Sequence, residues 1–438
     1  MDDRTDAHVS RQRQGLTASV TDFDVERQRA LLIGLIRSAN DRARGESSLE
    51  ELGLLTDTAG SEPVISELVR RERPDPATFI GKGKLSELVG ISKAEDIDVV
   101  VFDNELSPAQ QRNLHIAFQC DVVDRVALIL DIFAQHAHTK EGMMQVELAQ
   151  HRYRLPRLRG KGTELSRLGA GIGTRGPGET KLETDRRRIL DRVRKIETEL
   201  KNAKRSRATQ SKRRKSSGDP VVAIVGYTNA GKSTLFNRLT DAGVLVEDRL
   251  FATLDSTVRK LELPHGHTAL LSDTVGFVRD LPHELVEAFR STLEEAADAD
   301  LLVHLVDASD ADPDHQVASV REVLVEIGAE DVDEVIVYNK TDAISDAQLA
   351  RLQELHPAAE FISAQTGTGI PDLMDALVDR LDAKTVELDL LIPYERGEVL
   401  AEVHGAGEVS RLEHLESGTE VSVRLPHDEA HRFREFVA

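Results

Sequence analysis

The chain has 438 residues, 40% of them hydrophobic and 30% charged, and a formal net charge of −21. That length accommodates roughly two to four domains, no apolar run approaches the ~18–20 residues of a membrane span, and the polar start lacks a secretion signal. The single cysteine, Cys120, cannot close an internal disulfide, so a cytoplasmic protein, taken as a monomer, is expected. Arginine outweighs lysine and tryptophan is absent, which with the acidic excess resembles a proteome kept soluble in molar salt. That composition points to a halophilic archaeal source, with an ordinary acidic protein as the alternative.

Residues 1–23 read as a flexible polar tail and residues 24–140 as an α/β domain. Within it, 30–36 and 99–102 are apolar enough for buried strands, and 63–71 contains another strand. Residues 47–54, 84–95 and 108–118 read as helices, the last with Leu114, Ile116 and Ala117 inward. Gly81-Lys82-Gly83-Lys84 precedes a helix and could hold a phosphate, as an ATP or RNA site; it lacks the full phosphate-loop spacing, which favours a capped helix start. Cys120 lies in an apolar stretch and reads as a core thiol. His136, His138 and His151 lack further ligands for a metal and read as a solvated face.

Residues 141–217 form a linker region. Residues 144–155 read as one helix, and residues 169–180 as a glycine-rich loop reaching into an RNA cavity or a plain connection. From Arg186 to Lys215 the chain is dense in Arg and Lys. Ile189, Leu190, Val193, Ile196 and Leu200 give its first part helical periodicity; the rest reads as a tether. An rRNA contact and a solvated linker both remain open.

Residues 218–385 carry the densest signals. Gly226-Tyr227-Thr228-Asn229-Ala230-Gly231-Lys232-Ser233 joins the apolar run 221–225 to a helix opening at Thr234. This is the spacing of a phosphate-cradling loop: glycines let backbone N–H groups face the phosphates, and the helix N-terminus adds positive potential. Lys232 would reach the β- and γ-phosphates and Ser233 would ligate Mg²⁺. Asp273-Thr274-Val275-Gly276 ends a second strand, with Asp273 set to hold Mg²⁺ through water and the Gly276 N–H to approach the γ-phosphate. Asn339-Lys340-Thr341-Asp342 follows a third; the Asp342 carboxylate can accept from both N1–H and the 2-amino group of guanine, which adenine lacks. Ser363-Ala364 would offer backbone N–H groups to the guanine carbonyl. Phe251-Ala252-Thr253-Leu254-Asp255 supplies the mobile loop, with Thr253 on Mg²⁺ and the γ-phosphate and Thr257 as the alternative. The expected fold is a mostly parallel sheet with helices on both faces, binding and hydrolysing GTP. Residues 386–438, with strands near 388–392, 399–404 and 420–425, read as a small α+β appendage.

These motifs, with Asp273-Thr274-Val275-Gly276-Phe277-Val278-Arg279-Asp280-Leu281-Pro282 and Gly171-Ile172-Gly173-Thr174-Arg175-Gly176-Pro177-Gly178-Glu179-Thr180, resemble the HflX GTPases over nearly the whole length. Gln145-Val146-Glu147-Leu148-Ala149-Gln150 and Tyr153-Arg154-Leu155-Pro156-Arg157 are similar too. The resemblance implies binding to the large ribosomal subunit and its rRNA, hydrolysis raised by ribosomes, and a role in splitting stalled or idle ribosomes. An RNA-remodelling ATPase or helicase in the N-terminal region, regulated by GTP, is the alternative. Phe277 stands where many GTPases place a water-orienting glutamine, so slow intrinsic hydrolysis is expected, completed from outside by rRNA, a partner side chain or a cation. Asn229 makes K⁺ a candidate activator, or is only a polar loop residue.

Overall fold

The computed structural model describes residues 27–158, 177–215, 219–240, 250–251, 257–279, 283–383 and 385–437. The first domain is a parallel sheet ordered β2 (Ser61–Arg70), β1 (Gln28–Ile36), β3 (Val99–Phe102), β4 (Asp121–Asp124). β1 and β3 are continuous apolar runs because both their faces are covered. Ala30 and Leu32 pack toward helices α1 (Arg42–Thr58) and α4 (Arg125–His136). Leu31 and Ile33 pack with Leu88 of α2 (Lys82–Ala94) and Leu114 and Phe118 of α3 (Pro108–Phe118). Ile116, expected inward, is exposed; the inward stripe of α3 runs through Gln110, Leu114 and Phe118, spaced by four residues. Cys120 is half-buried, and burial pushes its thiol up to about 11, which keeps it protonated and unreactive.

Helix α5 (Lys140–Arg157) pairs with α6 (Pro177–Lys215) through Met144 and Leu148 on one side and Val193, Ile196 and Leu200 on the other. Arg192 adds a two-pronged ion pair to Glu147, both bonds at 2.6 Å. The expected tether is helical to Lys215, and the helix already begins at Pro177, inside the segment read as a glycine-rich loop. Nothing between Arg186 and Lys215 is Gly or Pro, and its Lys, Arg, Glu and Ala residues favour helix. Residues 159–176, which include the rest of that loop, and residues 216–218 lie outside the described residues.

The second sheet has the order β10 (Glu360–Phe361), β9 (Glu334–Asn339), β8 (Leu301–Asp307), β5 (Val221–Gly226), β7 (Thr268–Asp273), β6 (Thr257–Glu262), parallel except for β6. The chain turns one way from β5 to β7 and the other way to β8, which opens a crevice at the carboxyl end of β5. Val222 and Ile224 enter the core covered by α7 (Lys232–Thr240) and by α11 (Ile370–Asp382), which follows α10 (Asp346–Leu355). Ala223 and Val225 enter the core under α8 (His283–Ala297) and α9 (Pro313–Ile327), which is continuous with the α1–α4 face of the first sheet. The last segment is an antiparallel sheet, β11 (Thr385–Ile392), β13 (Gly418–Pro426) and β12 (Glu408–Leu415). Residues 399–404, expected as a strand, lie in helix α12 (Gly397–Ala406), whose Val399 and Val403 are one turn apart on its buried side. The strand β12 was not foreseen, because its charged residues face water on both sides of a sheet edge.

Candidate nucleotide site

The loop after β5 is built by two residues in the left-handed region, Asn229 (φ 59°) and Gly231 (φ 95°), which reverse the backbone before α7. At Gly231 a side chain would overlap the Asn339 amide. Lys232 is buried, and its Nζ donates to the carbonyls of Gly226 (3.1 Å) and Tyr227 (2.7 Å). Burial pulls its ammonium down to about 8, and the Asp273 carboxylate opposes that shift. Phosphate oxygens at this lysine would restore the charge, so nucleotide binding above neutral pH takes up a proton. Calorimetry in buffers of different ionisation heat is expected to give roughly 0.2 proton at pH 7.5 and roughly 0.8 at pH 8.5; no rise would contradict the assignment. The sign for the fold is the opposite: the folded value lies below the unfolded one, so folding releases a proton and the nucleotide-free protein gains stability as pH rises through about 8 toward 10.

Ser233 Oγ lies 3.3 Å from Asp273 Oδ2, a hydroxyl and a carboxylate together at the loop's foot. Thr274 is fully buried and its hydroxyl donates to the Ile224 carbonyl at 2.7 Å, fixing the end of β7 to β5. Past Val275, the backbone of Gly276 crosses the cradle so closely that a Cβ would stand 2.8 Å from Thr228 Cγ2 and 3.0 Å from Lys232 Nζ. Phe277 then exchanges backbone hydrogen bonds with the loop, donating to the Gly226 carbonyl (3.1 Å) and accepting from the Thr228 N–H (2.6 Å). Its ring is buried in the core shared by the first and second sheets.

Asn339 joins three loops. Its Nδ2 donates to the Ala230 carbonyl at 2.7 Å, and its Oδ1 accepts from the Ala364 N–H at 2.8 Å. A guanine carbonyl would share that N–H. Lys340 (φ 64°) pairs with Asp307 at 2.7 Å, and Thr341 N–H donates to the Ile362 carbonyl at 3.2 Å. Asp342 follows in a 3₁₀ turn with its carboxylate exposed at the crevice rim. The Ser363 hydroxyl accepts from the Thr366 N–H. Arg238, in the last turn of α7, grips the Ala364 and Gln365 carbonyls; an arginine at a helix end carries no sequence signal for that role.

Two expected site residues turn elsewhere. The Tyr227 side chain leaves the cradle and its hydroxyl donates to Glu51 of α1 at 2.8 Å. The Phe251 ring packs edge-on against Phe133 of α4, centroids 4.6 Å apart. Ala252, Thr253, Leu254 and Asp255 lie outside the described residues; Thr257, the alternative to Thr253, starts β6 opposite Asp273. Gly81 caps α2 beside a cleft of about 480 Å³ edged by Arg70, Arg71, Lys82 and Lys84, and Lys84 is paired with Glu67 and Glu87. Among the described residues no cluster of three or more His, Cys, Asp or Glu side chains is set to hold a metal ion. No helix among them is long and apolar enough to cross a membrane.

Three family models match the chain in succession: a GTP-binding GTPase N-terminal region at residues 46–134, a GTP-binding GTPase middle region at 136–214, and a 50S ribosome-binding GTPase at 221–340. The GTPase HflX of Caldanaerobacter subterraneus is 46% identical over 413 residues, 94% of each chain. The GTPase HflX of Escherichia coli is 43% identical over 381 residues, 86% of this chain and 89% of the relative. A GTP-binding protein from Sulfolobus solfataricus, solved with GDP, aligns at 25% identity over 81% of this chain and 98% of its own, with a TM-score of 0.42.

Proposed function

The chain belongs to the HflX family of GTPases, and from that premise we propose that it couples GTP binding and hydrolysis to remodelling of the large ribosomal subunit, splitting or rescuing stalled or idle ribosomes. The carrying observation is the continuity between the nucleotide crevice and the basic helix pair. Helix α8, which follows the Gly276 segment, packs Phe289 against Phe133 at 4.6 Å. It is bridged to the helix pair by Arg152–Glu287 (2.9 Å) and Lys204–Glu294 (2.6 Å). A shift of the Gly276 segment on loss of the γ-phosphate therefore reaches α5 and α6, whose remaining Arg and Lys residues suit an rRNA backbone. The family models at residues 46–134 and 136–214 describe parts of GTP-binding proteins, which favours this reading over a separate ATPase or helicase. The place of action is the cytoplasm.

In the mechanism, Lys232 binds the β- and γ-phosphate oxygens, and the backbone of residues 229–234 cradles them. Ser233 and Asp273, hard oxygen donors 3.3 Å apart, fit Mg²⁺ with Thr253 completing its set; when bound, Mg²⁺ neutralises charge on the β- and γ-oxygens. Gly276 N–H holds the γ-phosphate, while Asn339, Asp342 and Ala364 select guanine. Phe277, with its ring in the core, orients no water, so an outside group completes the step. Purified large subunits are expected to raise the hydrolysis rate at least about tenfold, ~1.4 kcal/mol of barrier; an unchanged rate would remove the ribosome from this proposal.

Asn229 is exposed in the left-handed turn of the loop, and we infer that it brings K⁺ to the β- and γ-phosphates. Turnover is expected to be several-fold faster in KCl than in NaCl at matched ionic strength, with the difference lost in Asn229→Ala. Equal rates in the two salts would discard the role of K⁺.

A further inference from the structure

Glu51, Tyr227 and Arg279 come from separate segments and meet in one buried cluster between the two sheets. Glu51 Oε1 lies 2.6 Å from Arg125, and Oε2 accepts from the Tyr227 hydroxyl at 2.8 Å and stands 3.9 Å from Arg279 Nε. Arg125 reaches Asp103 at 2.9 Å, and Asp103 accepts from Ser48 at 2.6 Å. Arg279 donates its backbone N–H to the Tyr227 hydroxyl and its guanidinium to the Arg44 carbonyl (3.2 Å) and Ser47 (3.4 Å) of α1. The side chains of Arg125, Arg279, Glu51 and Asp103 are 6, 11, 12 and 13% exposed.

The charge balance gives the cluster a direction. Two carboxylates face two guanidiniums, and the sum is zero only while Arg279 is seated. Withdrawing Arg279 leaves Glu51 and Asp103 sharing Arg125, one uncompensated negative charge in a buried place, which is strongly unfavourable. Arg279 lies three residues beyond Gly276, and Tyr227 belongs to the phosphate loop itself. Movement at the γ-phosphate therefore pulls on this cluster from two sides.

We propose that Glu51 is a positioning residue that holds the segment from Gly276 to Arg279 against the first domain, so that seating and release of Arg279 report the nucleotide state to that domain. The second half of this statement rests on the GTP-driven switch of the preceding section. The first half is a property of the nucleotide-free protein and is tested without nucleotide.

Charge-neutral variants separate positioning from bulk packing. E51Q leaves Arg279 and Arg125 with only the Asp103 carboxylate, on Arg125, to balance them, and R279Q leaves the opposite imbalance; E51Q/R279Q restores neutrality. In the full chain without nucleotide, hydrogen exchange of amides 277–279 is expected to quicken about tenfold in E51Q, a coupling typical of contacting charged residues. The double variant is expected to melt at or above R279Q, because the second change repairs the charge. Additive destabilisation, or wild-type exchange in E51Q, would overturn the role of Glu51. With nucleotide, exchange at 277–279 in the wild type is expected to differ between GDP and a non-hydrolysable GTP analogue, and E51Q is expected to shrink the difference. A wild type that binds neither nucleotide overturns the switch reading and leaves the charge cycle standing. Binding with identical exchange overturns the reporting half of the proposal.

Discussion

Replacing Asp342 with asparagine is expected to lower GTP affinity by roughly 10²- to 10⁴-fold. In the proposed base site the carboxylate would accept two hydrogen bonds from guanine, each charge-assisted and each contributing about 1.5–3 kcal/mol. Asparagine keeps one acceptor and turns a donor toward the 2-amino group, where two donors face each other. Xanthine carries a carbonyl at that position, so the variant is expected to prefer xanthosine triphosphate. Asp342 is exposed in a short turn, so the substitution leaves the fold intact and the loss reads on recognition. Titration calorimetry with the two triphosphates measures the inversion; an unchanged preference for GTP would remove Asp342 from the base site.

Lys232→Met is expected to separate stability from activity with opposite signs. The ammonium is buried in the empty cradle, and pulling its pKa down to about 8 corresponds to a penalty of order 3 kcal/mol at neutral pH. Its two acceptors keep other donors: Gly226 O also accepts from Phe277 N–H and Tyr227 O from Ala230 N–H. Methionine fills similar space, so the nucleotide-free variant is expected to melt higher than the wild type. GTP turnover is expected to fall by at least about 10³-fold, because no cation remains to stabilise charge on the γ-phosphate. Lower melting with turnover retained would contradict both the burial argument and the assigned role.

The loops of the candidate nucleotide site were legible because each is a local pattern at the end of a strand. The cradle Gly226–Ser233, Asp273–Gly276, Asn339–Asp342 and Ser363–Ala364 need only a few consecutive residues to be recognised, and a parallel sheet collects them at one edge. The buried runs of β1, β3 and β5 were equally plain, being apolar on both faces. What lay hidden depends on contacts far apart in sequence. Glu51 is an unremarkable acid on a helix until Arg125 and Tyr227, 74 and 176 residues away, close around it. Tyr227 looked like a loop residue near phosphate, yet its ring belongs to the core beneath. The strand expected at 399–404 failed for a different reason: Val399 and Val403 fit a helix stripe as well as a short apolar strand, and length alone could not arbitrate. The end of the basic stretch before Lys215 reads as a tether on charge alone, whereas its residues' helix propensity carries the helix through to Lys215.

In the proposed cycle, the terminal phosphate held at one guanine site sets the grip on the large ribosomal subunit. The direct measurement is the dissociation constant of the full chain for purified large subunits, taken with a non-hydrolysable GTP analogue, with GDP, and with the matching ATP analogue. Binding at least about tenfold tighter with the GTP analogue than with GDP, and no effect of the ATP analogue, is the predicted result. The same constant under all three conditions would contradict it.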